Sequence, residues 1–143
     1  MSTESADGPL PGAPAAVARR VRDVAREAAL PLGFHPLVRL DGVHNLDDHV
    51  VLHLLAALRE ALINVTGNSG ASRVEVQVGV GAADVLSLRV AHDGTAVSAG
   101  NERDIGLRNL AARAQALGGQ FTVLPLTTSD TVMVWEVPAG GSF

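Results

Sequence analysis

Glu60 and Asn64 stand four residues apart in the stretch LREALINVTGNSG, a spacing that puts a carboxylate and an amide on one helix face. His53 and Ala57 precede them on the same side. A carboxylate beside an amide oxygen suits a general base next to a hard-cation ligand, because Mg²⁺ takes oxygen donors and keeps several waters. By spacing alone, a solvated helix face is the commoner outcome. A second candidate is DIGLRNLAARA, where Gly106 reads as a helix start whose free N–H groups and dipole favour a phosphate. The third is the strand tip HDGTA, where Gly94 lets a ligand or another backbone come close. Glycine is common at helix starts and in turns, so neither signal decides anything alone.

The elements that must carry these residues follow from hydrophobic periodicity. Residues 1–13 are rich in Ser, Gly, Pro and acid and read as a disordered tail or linker. From Pro14, the positions Val17, Val21, Val24, Ala25 and Ala28 keep helical spacing until LPLGF at 30–34. HPLVRLDG reads as a short strand. Residues 47–66 form the strongest helix, with Val51, Leu54, Leu55, Leu58, Leu62 and Val65 in one apolar stripe. Val74 to Val80 and Leu86 to Val90 alternate as two strands joined by GAAD, an antiparallel hairpin. In the second strand His92 continues the row Leu86, Leu88, Val90, and Asp93 points to the other face unless a bulge intervenes.

After TAVSAGNERD a helix is expected from about Gly106, ended by Gly118-Gly119 as a left-handed C-cap. QFTVLP and TVMVWEV supply two last strands. About three helices and five strands with one repeatedly polar strand face predict an α+β, two-layer α/β sandwich with a mixed five-stranded sheet and helices on one face. The domain is expected to span 14–138, with 139–143 a tail.

The 143 residues suffice for one core, and 47% are hydrophobic. A net charge of −4 offers no basic field for nucleic acid or anionic lipid. All 11 cations are Arg, so no lysine takes part in the chemistry. The absence of Cys excludes disulfides, thiolate nucleophiles and Cys-ligated zinc. VVLHLLAAL is half a membrane span, and the N-terminus lacks the pattern of a signal peptide. A cytoplasmic protein without membrane contact is the default. Asp47, Asp48 and His49 read as a polar helix start rather than as part of a metal site with His44 and His53.

Taken in order, LREALINVTGNSGASRVEV, LSLRVAHDGTA, GLRNLAARAQALGGQFTV and TVMVWEVP closely resemble the ATP-binding catalytic domain of histidine kinases. This domain belongs to the gyrase/Hsp90/histidine-kinase/MutL superfamily. The likeness runs over roughly residues 15–138 and is nearest to HisKA_3-type sensor kinases, including haem-containing GAF sensors. It implies the Bergerat ATP-binding fold, Mg·ATP as cofactor, and two-component signalling. The implied partners are the dimerisation and phosphoacceptor helices of a sensor kinase and a response regulator. By resemblance, Asn64 matches the Mg²⁺ ligand of the N box and Glu60 its acidic residue, the catalytic base. Gly94 matches the central glycine of the G1 box, Gly106 and Leu107 the second half of the G2 box, and Thr131 a threonine that helps hold adenine.

The chain also departs from that pattern. Aligning Gly94 puts His92 where the family has its adenine-recognising Asp, and Ala96 where a loop glycine is usual. Asp104 replaces the first G2 glycine, Ser129 and Asp130 the glycines before Thr131, and Gly67 and Asn68 the usual basic residue and His. The segment between the G boxes is short, leaving little for a lid over ATP. A charge-assisted hydrogen bond contributes about 1.5–3 kcal/mol, so losing the Asp predicts roughly ten- to hundredfold weaker nucleotide binding.

No stretch of the chain resembles the phosphoacceptor His and its helices. Three functions therefore stand: a histidine kinase catalytic domain with weakened nucleotide binding, a degenerate interaction module of the same fold, and an anti-sigma-factor-type serine kinase.

Overall fold

The computed structural model describes residues 13–43, 46–66, 71–81, 83–93, 101–125 and 130–139. Helix α1 is Ala13–Leu32, α2 is Asp48–Thr66 and α3 is Asn101–Ala116. Five strands, β1 Leu37–Asp41, β2 Val74–Val80, β3 Val85–His92, β4 Gln120–Pro125 and β5 Thr131–Pro138, form one sheet in the order β1-β2-β3-β5-β4. Only β1 and β2 are parallel, so the sheet is mixed as the sequence predicts.

Alternation decides which strand face is covered. Val74, Val76 and Val78 of β2, Leu86, Leu88 and Val90 of β3, and Met133, Trp135 and Val137 of β5 are buried. They form one cluster with the stripes Val17, Val21, Val24 of α1, Leu54, Leu58, Leu62 of α2, and Leu110, Ala114 of α3. Helices therefore cover one face, and burial of these side chains from water holds the two layers together. The opposite face carries Arg39, Glu75, Gln77 and Arg89, with Arg39 and Glu75 paired at 3.2 Å. That face is not uniformly polar: Val132 and Val134 lie on it and are buried, Val132 in register between Ala91 and Leu124.

Helix ends follow local chemistry. Gly33, at φ 86°, donates to the Ala29 carbonyl and ends α1 just beyond Pro31. Gly118, at φ 81°, donates to Gln115 and Gly119 donates to Ala114, the paired bonds of a Schellman cap on α3. A Cβ on Gly119 would overlap the carbonyl oxygen of Glu136, so glycine is required there by close approach and not by a positive φ. Asp84, at φ 62°, turns the β2–β3 hairpin, a conformation its short polar side chain tolerates. Its carbonyl accepts from Ala139 N–H, which brings the end of β5 against the hairpin.

α2 is long and apolar enough to cross a membrane by length and composition, but 56% of that window is buried inside the domain, as expected of a core helix. The start of α3 differs from expectation: it begins at Asn101, not near Gly106. Its apolar stripe starts only at Leu107 and Leu110, so its first turn carries no periodic signal.

Candidate functional site

The α2 stripe turns Leu54, Leu58, Leu62 and Val65 inward, which leaves Glu60 and Asn64 on the flank that meets α3. Asn64 is only 5% exposed and Glu60 is half-buried. Across from them lies Gly106, buried in the second turn of α3. A Cβ at Gly106 would stand 3.0 Å from Glu60 Oε2 and 3.3 Å from Asn64 Nδ2. The glycine thus lets α3 close onto the carboxylate and amide of α2. It does not supply a free helix-start N–H, since the unsatisfied donors of α3 belong to its first four residues. Leu107 packs partly buried against the core next to it.

His92 ends β3 and Thr131 opens β5, and the two are direct register partners; on its other side His92 pairs with Val74. The ladder runs without a bulge from Leu86 to His92, so His92 stays on the helix-covered face, 3% exposed. Thr131 is 6% exposed. Among the described residues, the buried polar residues are Asn64, His92 and Thr131. Buried polar side chains are uncommon and costly unless they are hydrogen-bonded, and all three are residues the sequence singled out.

Asp93 has different work. Its carboxylate accepts from Ser72 N–H at 2.8 Å, Ser72 Oγ at 2.6 Å and Arg73 N–H at 2.8 Å. The bond from the Ser72 hydroxyl does most to lower its pKa from 3.8 to about 2, against a smaller opposing effect of burial. Its N–H donates to the Arg73 carbonyl at 3.3 Å, and its carbonyl lies 3.1 Å from His92 Nδ1. Asp93 therefore staples the end of β3 to the residues entering β2. Arg73 also approaches the Asp130 carboxylate at 3.6 Å, next to Thr131. Sequence reasoning missed both links, because a register between distant strands leaves no local pattern.

His53 of α2 lies 3.3 Å from Arg113 Nη1 of α3 and 5.4 Å, edge-on, from His49. Burial first, then the charges of Arg113 and His49, lowers its pKa from 6.5. Among the described residues no three His, Cys, Asp or Glu side chains gather as a metal cluster. Of the residues drawn from the sequence, Gly67, Asn68, Gly94, Ala96, Ser129 and His44 lie outside the described residues, as does the segment 1–12.

No family model matches the chain. Solved structures do. The Erythrobacter litoralis EL346 blue-light activated histidine kinase superposes with a TM-score of 0.63 at 14% identity, over 90% of this chain and 42% of that one. The Acinetobacter baumannii histidine kinase AdeS gives 0.63 at 16% identity, over 87% of this chain and 64% of that one. The catalytic domain of histidine kinase ThkA gives 0.66 at 13% identity, over 88% and 92%. The chain thus spans under two thirds of the first two proteins and nearly all of the isolated catalytic domain. Its fold is that of the histidine kinase ATP-binding catalytic domain, the α+β sandwich anticipated from the sequence.

Proposed function

We propose that this chain is the nucleotide-binding, catalytic-type domain of a two-component sensor histidine kinase, with affinity for Mg·ATP weakened by His92. The supporting observation is that the buried polar side chains Asn64, His92 and Thr131 occupy positions where the resemblance places metal and base recognition. Asn64, buried with Glu60 beside it on the same helix face, offers oxygen donors that suit the metal ion of a bound phosphate chain. When bound, Mg·ATP supplies the phosphoryl group and neutralises charge on it. Glu60 would be the base that orients or deprotonates the acceptor, and Asn64 would be the ligand that positions the metal. Gly94, Asn68 and Leu107 would complete the pocket.

The phosphoacceptor histidine would come from dimerisation helices of a sensor kinase, and the phosphoryl group would pass to a response regulator. A cytoplasmic location goes with that reading. A second reading, a non-catalytic interaction module, is favoured by a histidine, His92, standing where the resemblance calls for a carboxylate. Calorimetric titration with Mg·ADP and Mg·ATP separates them: saturable binding supports the first, and no heat at millimolar nucleotide supports the second.

A further inference from the structure

We infer that His92 recognises its ligand as a hydrogen-bond acceptor through Nε2, in a tautomer imposed by the backbone of Asp93. Nδ1 of His92 lies 3.1 Å from the Asp93 carbonyl oxygen. A carbonyl only accepts, so Nδ1 must carry the proton, and the neutral ring then holds its lone pair on Nε2. The carbonyl that dictates this is itself held in place. Asp93 is tied through its N–H to the Arg73 carbonyl and through its carboxylate to Ser72 and Arg73. Nε2 has no hydrogen-bond partner among the described residues.

The consequence is a polarity of recognition. A 6-aminopurine offers an N–H donor at its six-position edge, whereas a 6-oxopurine offers oxygen lone pairs there. An Nε2 acceptor satisfies the first and repels the second. His92 would therefore keep the selectivity of an acid at that position while lacking its charge, a specificity-determining residue rather than a lost one. This rests on the nucleotide reading of the site.

His53 provides a contrast within the same molecule. Its Nδ1 faces Arg113 Nη1, which can only donate, so its proton belongs on Nε2. Nitrogen-15 spectra of the full chain with labelled histidine, recorded above neutral pH, are expected to show His92 protonated on Nδ1 and His53 on Nε2. A His92 signal of the Nε2-protonated form would overturn the inference without reference to any ligand.

Titration with Mg·ADP and Mg·IDP on the wild-type chain then tests recognition. At least about tenfold tighter binding of Mg·ADP is expected. Equal binding, or preference for Mg·IDP, would overturn the acceptor role alone. Failure of both nucleotides to bind would overturn the nucleotide reading and this role with it. The variant His92→Leu should bring the ratio near one, with the His53 signal unchanged as a check that the fold persists.

Discussion

Gly106 of α3 and Glu60 of α2 meet so closely that a Cβ on the glycine would lie 3.0 Å from Glu60 Oε2. The atom in the way is the end of a flexible side chain, so it can yield, and alanine is the better helix former by about 1 kcal/mol. Gly106→Ala is therefore expected to leave stability unchanged or raise it by up to about 1 kcal/mol. Displacing the carboxylate and crowding Asn64 should weaken Mg·ADP binding at least about fivefold. Urea unfolding and calorimetry on the same variant separate the two effects.

Asp93→Ala removes the acceptor for three donors at the entrance to β2 and is expected to cost about 1–2 kcal/mol, like the loss of a helix N-cap. Asp93→Asn should recover part of it. Because the folded pKa, about 2, lies below the unfolded 3.8, the unfolded chain binds more protons between these values. The contribution of Asp93 is present above pH 3.8 and disappears as pH falls through about 2. Urea midpoints across that range should drop more steeply for wild type than for Asp93→Ala.

Gly118 and Gly119 adjoin in sequence but are constrained differently. Gly118→Ala meets only the cost of a positive φ, about 1 kcal/mol. Gly119→Ala drives a Cβ into the Glu136 carbonyl, which the β4–β5 ladder holds fixed, and should cost about 3 kcal/mol or more. Thermal unfolding of the two variants is expected to rank them in that order.

His53 gives the fold a second pH dependence. Its pKa is lowered in the folded state, so the unfolded chain takes up a proton more readily below about 6.5. Stability should decline as pH falls through that value, and His53→Gln should flatten the decline. Denaturation midpoints between neutral and mildly acidic pH provide the comparison.

The sheet and the long helix were legible because burial is written as period two in Val74–Val80 and as an uninterrupted stripe in Leu54–Val65. Parity alone placed His92 inward, and the unbroken ladder to Thr131 agrees. What parity could not show was where Asp93 reaches, since its partners Ser72 and Arg73 are set by a strand register. The start of α3 was missed because Asn101–Ile105 precede the stripe, and Gly106 was assigned the task of a helix terminus. Its observed task, a close approach between helices, depends on which side chains α2 presents. The partly apolar outer face of β5 was likewise hidden, because Val132 and Val134 continue an already apolar run.

His92 is proposed to fill the base-reading position of a nucleotide site. Calorimetric titration of Mg·ADP into the wild type and into His92→Asp tests it most directly. Measurable binding to the wild type, tightened roughly ten- to hundredfold in the variant, is the predicted result. An affinity left unchanged by the restored carboxylate, or no binding to either chain, would contradict it.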